Sequence, residues 1–429
     1  MKKVGIMSMQ RIINYGSYLQ AYGLYNTIRQ LGYDVEFIDY HYECSLIKSK
    51  KNGLLNKLKK NINIIKFYKR KKQYINFKKS IKDALKPLNV TENYNYNKKI
   101  DTLVIGSDEV FNCLQGYPVG YSLELFGKNF ESSKIISYAA SFGYTTLDML
   151  NNIDDDISQL LKKFYKISVR DENSKKIVET LTGIKPIVSF DPVIISDYSD
   201  KIKSVKPDDN YIILYAYQGR ISKSEGKYIK KFAKKHNKKI ISLGFYQEIA
   251  DKNIAVSPFD VLNYFKFADY IITDTFHGTI FSIKMNNKFC TIVRDSNFNK
   301  LNSLLKSLSQ TDRIVYNLDD IERLYNTEVD YVKTNNIIKK ESRNKYLIKN
   351  TLIFSIGNFG SKLITFFLVP FYTNILTVEE YGTIDLVTTI GTILLPIISL
   401  NISEAVMRFS MDKNSNDKQI INIGFLFFL

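Results

Sequence analysis

The chain has 429 residues, enough for about three domains at roughly 150 residues each. Hydrophobic residues make up 45% and charged residues 24%, a balance that excludes general disorder. The net charge is +18, and residues 48–86 supply +14 of it, with fifteen Lys or Arg against the single acid Asp83. Cys44, Cys113 and Cys290 share no metal-binding spacing and cannot build a disulfide framework, which points to a reducing, cytosolic setting.

Residues 1–9 are too short and too polar for a signal peptide, and 4–9 predict a first strand. A helix over 17–31, closed by Gly32, and a strand over 34–39 follow. Within 48–86, apolar residues recur at helical spacing: Leu54, Leu58, Ile62 and Ile65, then Tyr74, Phe77, Ile81 and Leu85. A basic amphipathic helix of this kind suits an anionic membrane surface, and a merely solvated helical face fits the same pattern. No helix-turn-helix, zinc-finger or RNA-binding-sheet signature accompanies the charge, so nucleic acid is not an expected partner.

Strands are predicted at 101–106, 134–138 and 166–169, then, past a polar hinge at 196–210, at 211–215, 239–243, 269–273 and 289–293. Helical patterns at 222–236 and from 278 alternate with them. Such alternation means βαβ units and parallel sheets. The fold class expected is therefore α/β, with two Rossmann-like domains over 1–195 and 196–315. Their ligands should lie outside the carboxyl ends of the strands. Residues 316–345 read as a linker and 346–429 as a short all-α membrane segment. In the latter, 386–403 runs eighteen residues without a charge, the lower edge of what spans a bilayer of roughly 30 Å. Buried core helices are the other reading of those runs.

Several signatures are missing. No GxGxxG follows the first strand, because Asn14-Tyr15-Gly16-Ser17 has one glycine, so a dinucleotide cofactor is not expected. Residues 219–227 imitate a phosphate loop but have six residues between the glycines, with Tyr228 where a Ser or Thr would hold magnesium. Asp154, Asp155 and Asp156 open a helix, where acids suit the positive end of the dipole. Histidines at 41, 236 and 277 form no zinc motif, and no metal is expected.

Two candidate sites remain at strand ends. In Asp274-Thr275-Phe276-His277-Gly278-Thr279, His277 sits in a strand-to-helix turn, and an imidazole exchanges protons near neutrality. The amides that follow, at Gly278 and Thr279, can point at an anion. A histidine that merely satisfies its own turn is the alternative. In Val169-Arg170-Asp171, Arg170 offers a planar fork for phosphate or carboxylate, or a partner for a neighbouring acid. Asn14 and Gly16, Ser107 and Asp108, and Ser141 mark further small or polar turns at the same rim of the cleft.

Taken together, these segments resemble the polysaccharide pyruvyl transferase family. The matching pieces are Asn14-Tyr15-Gly16-Ser17-Tyr18-Leu19-Gln20, Ile105-Gly106-Ser107-Asp108, Tyr138-Ala139-Ala140-Ser141-Phe142-Gly143, Ser168-Val169-Arg170-Asp171, Asp191-Pro192 and Thr275-Phe276-His277-Gly278-Thr279, in order over about the first 315 residues. Glu109 stands where the family usually has Gln, and Phe289 replaces a common Pro. The resemblance implies a GT-B-like pairing of the two domains. It also implies transfer of the enolpyruvyl group of phosphoenolpyruvate onto two hydroxyls of a surface-polysaccharide sugar, or of its lipid-linked precursor, as a cyclic ketal. No cofactor is implied beyond phosphoenolpyruvate as donor substrate. His277 would then be the catalytic acid or base, with Arg170, Gly278, Thr279 and Lys288 contacting the donor. A GT-B-type glycosyltransferase and a catalytically degenerate membrane-tethered partner are the competing readings. Residues 346–429 resemble the amino-terminal end of a lipid-linked oligosaccharide flippase, through Gly357-Asn358-Phe359-Gly360, Glu379-Glu380-Tyr381-Gly382 and Glu404-Ala405-Val406-Met407-Arg408-Phe409. That pairing implies work at the cytoplasmic face of the inner membrane.

Overall fold

A computed structural model describes residues 2–42 and 64–343, apart from short stretches within 89–99 and at 117–119, 131–133 and 151–152, together with scattered positions between 377 and 390. Residues 1–345 form one compact unit and 346–429 a second.

The first half of the larger unit runs β1 (Lys3–Met7), α1 (Tyr15–Gln30), β2 (Asp34–Phe37), α2 (Ile64–Leu85), β3 (Thr102–Asp108), β4 (Lys134–Ala140), α3 (Asp154–Lys162), β5 (Ser168–Val169), α4 (Glu172–Thr182), β6 (Ile187–Val188) and α5 (Pro192–Ile195). Its six strands pair in the order β2-β1-β3-β4-β5-β6, all parallel. Helices cover both faces of such a sheet, which is why the central strands read as unbroken apolar runs. Val4, Ile6 and Met7 of β1 and 103–105 of β3 are all buried.

The second half runs β7 (Tyr211–Tyr215), α6 (Lys223–Lys235), β8 (Lys239–Leu243), β9 (Lys252–Ile254), α7 (Pro258–Phe267), β10 (Tyr270–Thr273), α8 (Phe276–Lys284), β11 (Phe289–Ile292), α9 (Phe298–Ser307), β12 (Ile314–Val315), α10 (Asp320–Asn326) and α11 (Tyr331–Arg343). It builds a second parallel sheet in the order β12-β11-β10-β7-β8-β9. Two parallel-sheet α/β domains are thus present, each with its own core. Cys113 is buried in the first core and Cys290 in the second.

The helix ends follow ordinary capping chemistry. The Asn14 side chain accepts from Gly16 N–H to start α1, and Gly32, at φ 87°, closes it. Asp154, Asp155 and Asp156 occupy the first turn of α3.

Two expectations need revision, and a third falls mostly outside the described residues. Residues 316–345 are not a linker: Ile321 and Leu324 of α10 belong to the second core, and Tyr331 of α11 donates to the Asn287 carbonyl at 2.6 Å. Thr334 of α11 is wholly buried, bonded to Gln310 and to the Leu308 carbonyl. The basic segment is not free on all sides either. Along α2, Gln73, Phe77 and Ile81 are buried, and Gln73 Nε2 donates to the Gly244 carbonyl of the second domain at 3.0 Å. Phe77 packs on Tyr15 and Phe245, with ring centroids 4.5 and 5.3 Å away. Leu54, Leu58 and Ile62 lie outside the described residues. So does most of the expected membrane segment. Among the described residues no helix is long and apolar enough to cross a membrane. The described positions after 376 include a helical turn begun by Thr377, whose hydroxyl and amide both bond the Glu380 carboxylate.

Candidate active site

In a parallel sheet a crevice opens where the strand order reverses, because the connections on either side leave in opposite directions. Here those points are β1/β3 in one sheet and β7/β10 in the other. The segments leaving them are Asn14 to Ser17 and Ser107 to Glu109 from the first domain, and Tyr217 and Asp274 to His277 from the second. They meet at a cleft of about 610 Å³, within the usual range for a small-molecule site.

His277 is the second residue of α8, whose start is fixed by Thr275: its Oγ1 accepts from Gly278 N–H at 2.9 Å. The imidazole reaches the first domain and packs against the start of α1. A Cβ on Gly16 would fall 2.1 Å from His277 Cγ and 2.2 Å from Nδ1, so only glycine leaves room for the ring. On its other side, His277 Nε2 lies 3.5 Å from Asp191 Oδ2.

Asp191 is the hub of the cluster. It caps α5 through Oδ1, which accepts from Val193 N–H at 3.0 Å, with Pro192 at the first helical position. Its Oδ2 accepts from Arg170 Nη1 at 3.0 Å and from Ser107 Oγ at 3.4 Å. Complete burial pushes the carboxyl upward, but His277, Arg170 and the Val193 amide outweigh it and hold Asp191 below the usual carboxylate range. It is ionised at neutral pH.

Arg170 leaves β5, is buried, and divides its Nη1 between Asp191 and Asp108, the latter at 3.3 Å. Its guanidinium carbon sits 4.2 Å above the Phe276 ring. Nε and Nη2 are buried without a hydrogen-bond partner. Two unused donors on a buried cation are costly unless a ligand takes them. Arg170 and Phe276 also border a second cavity, of about 730 Å³, between α4 and α9, lined by Asn173, Lys176, Ser189, Asn302, Ser303 and Lys306.

The opposite wall joins the two domains. Lys300 of α9 bonds the carboxylate of Glu109, which also accepts from Asn112 Nδ2 at 2.7 Å. Burial would raise the Glu109 pKa, but Lys300, Arg170 and Asn112 together bring it down to about 2. Asn14 Nδ2 donates to Tyr217 Oη at 3.1 Å, and Ser17 Oγ donates to Asp108 Oδ2 at 2.7 Å. Tyr15 Oη both accepts from Val256 N–H and donates to the Val256 carbonyl, each at 3.0 Å.

The structure therefore gathers His277, Arg170, Asp108 and Asn14 in the cleft, with Gly16 beneath the imidazole. It does not gather the others. Gly278 N–H is taken by Thr275, and a Cβ on Gly278 would meet Thr273 Oγ1 at 2.1 Å, so this residue faces its own sheet. Thr279 is fully buried, bonded to the Thr275 carbonyl and to Thr291. Ser141 is a brace: its Oγ donates to Asp171 at 2.6 Å and shares no surface with the cleft. Ser107 is likewise fully buried, behind Asp191. Lys288 immediately precedes β11, at the amino end of the sheet, and pairs with Glu328. That places it at the opposite end of the sheet from the cleft.

Sequence reasoning assigned no role to Asp191, Lys300 or Tyr217. For Asp191 a signal was present, since Asp followed by Pro marks a helix start. Nothing around Lys300 or Tyr217 distinguishes them from other surface positions.

The family model for polysaccharide pyruvyl transferase matches residues 14–296. No curated protein matches the chain. Solved structures with a similar course include UDP-GlcNAc 2-epimerase from Methanocaldococcus jannaschii (11% identity, TM-score 0.45, covering 79% of this chain and 99% of that one). Its counterpart from Neisseria meningitidis is 12% identical, with TM-score 0.42 and coverage of 82% and 100%. The T4 phage protein BGT, solved with UDP and Mn2+, is 13% identical, with TM-score 0.40 and coverage of 83% and 99%.

Proposed function

Because the chain belongs to the polysaccharide pyruvyl transferase family, we propose that it moves the enolpyruvyl carbons of phosphoenolpyruvate onto two hydroxyls of one sugar. The product is a cyclic pyruvate ketal and inorganic phosphate. The observation that carries this reading is Arg170, a buried cation with Nε and Nη2 unused at the edge of the cleft, beside a histidine from the other domain. A donor with both a phosphate and a carboxylate needs such a fork.

The chemistry follows from that placement. One sugar hydroxyl adds to C2 of the enol while C3 takes a proton and becomes a methyl group. The second hydroxyl then displaces phosphate from C2, and its proton leaves with the phosphate. His277 is the group that delivers the proton to C3 and takes up in its place the proton released by the first hydroxyl, with ionised Asp191 fixing the ring from behind. Arg170 holds the donor's anionic end, and Lys300, which shares its ammonium with Glu109, stands at the same cleft. The acceptor is a sugar of a surface polysaccharide or of its lipid-linked precursor, with Tyr217 and Phe245 as an aromatic wall against which a pyranose ring can rest.

Thermal unfolding of the full chain with phosphoenolpyruvate tests the donor. A ligand at about 100 times its dissociation constant adds roughly 2.7 kcal/mol. The expected result is a shift with phosphoenolpyruvate that disappears in Arg170→Ala. A shift only with nucleotide sugars would overturn the reading in favour of glycosyl transfer.

A further inference from the structure

Helix α2 presents three different faces. One is the buried row Gln73, Phe77 and Ile81, which fastens the helix to the rest of the protein. A second carries Tyr74 and Lys78, four residues apart, and both line the cleft that holds His277. The third is Tyr68, Lys72, Ile75, Lys79 and Lys82, spaced four, three, four and three residues apart and therefore on one side of the helix. All five are exposed, Tyr68 by 68% and Ile75 by 53%.

Among the described residues, this third face has no partner inside the protein. Among them its single acidic neighbour, Asp83, is paired with Lys86 at 2.7 Å. Among the described residues, Lys72, Lys79 and Lys82 have no carboxylate within 4 Å. An apolar pair ringed by unneutralised lysines, on a helix anchored rigidly from behind, has the composition of an interfacial helix.

We propose that this face of α2 docks the protein on an anionic lipid surface. Charge complementarity selects the occupant: phosphate headgroups meet the lysines while Tyr68 and Ile75 enter the boundary of the acyl region. Since Tyr74 and Lys78 lie on the adjoining flank of the same helix, docking brings the mouth of the cleft to the bilayer. An acceptor sugar carried on a lipid then reaches the site without leaving the membrane. Only this last step rests on the function proposed above; the docking itself stands apart from it. On this basis the catalytic unit works at a membrane surface.

The experiment is sedimentation of the full chain with vesicles of phosphatidylcholine, alone or mixed with phosphatidylglycerol. Binding should require phosphatidylglycerol and weaken steeply as salt rises to roughly 0.5 M, where screening is strong. The variant K72E/K79E/K82E should lose binding by about two orders of magnitude or more. The neutral variant Y68S/I75S should lose less and become more salt-sensitive. Circular dichroism and the phosphoenolpyruvate-dependent melting shift, unchanged in both variants, exclude misfolding and keep the donor question separate. Equal sedimentation of K72E/K79E/K82E and the parent would overturn the proposal and move membrane contact to residues outside α2. Binding to phosphatidylcholine alone, or a tighter salt-sensitive grip on duplex DNA than on the vesicles, would overturn it as well.

Discussion

Gly16 and His277 belong to different domains and lie 261 positions apart, yet the imidazole occupies the space where any Cβ at position 16 would stand. A glycine inside a helix normally weakens it by about 0.5–1 kcal/mol relative to alanine, so this one is kept for the neighbour it accommodates.

Gly16→Ala should therefore move the imidazole away from Asp191 and lower turnover by on the order of 100-fold. Stability gives the control. In a His277→Gly background, which also removes the His277 Cβ that would stand 2.5 Å from the new methyl group, the obstruction is gone, and the same Gly16→Ala change should stabilise the protein by up to about 1 kcal/mol. Urea unfolding of the four proteins of this cycle checks it; equal effects in both backgrounds would mean the two residues do not press on each other.

The Glu109 and Lys300 pair should show itself in acid. A carboxylate whose pKa falls on folding adds stability above its unfolded pKa and loses it as pH drops through its folded value. For Glu109 that window runs from the ordinary 4.5 to about 2. Glu109→Gln should thus cost on the order of 3 kcal/mol at pH 7, shrinking to roughly half of that near pH 3. Unfolding midpoints of parent and variant at the two pH values decide the matter. A constant gap would show that the pair is not the source.

Tyr15→Phe removes the hydroxyl that serves both backbone groups of Val256 across the domain boundary. Leaving two partly buried polar groups unmatched should cost about 1–3 kcal/mol. Amide hydrogen exchange should show the loss at residues 252–258 first, and unchanged protection there would contradict it.

Lys288→Ala should leave donor binding untouched, because Lys288 faces Glu328 at the amino end of its sheet. Lys300→Met, from the wall of the cleft, should weaken donor binding about 10-fold or more. Melting shifts with phosphoenolpyruvate compare the two directly.

The contrast between these lysines also shows what the sequence could convey. Runs such as 211–215 are legible because both faces of a central parallel strand are covered, and the observed strand has those bounds. The edge strands β6, β9 and β12 are only two or three residues long, too short for any periodicity to register. Within the histidine motif, the turn and its helix were legible, but the phase of the helix was not. One residue further along rotates the backbone by about 100°, which carries Gly278 from the cleft into its own sheet. Lys288 failed for a related reason: a strand reads alike from either end, and only the sheet tells which end meets the partner domain. Asp191, Lys300 and Tyr217 were hidden because their significance comes from partners tens or hundreds of positions away. Most of the tail beyond 345 and the apolar positions at 54, 58 and 62 lie outside the described residues.

Arg170 and His277 reach Asp191 from separate sheets, and this has a consequence for how the protein cycles. Neither half holds a complete set of reacting groups, so the working geometry exists in a single relative orientation of the two halves. A displacement of about 1 Å between reacting groups can cost on the order of 100-fold in rate. Whatever opens the cleft far enough to exchange product for substrate therefore switches the chemistry off as well.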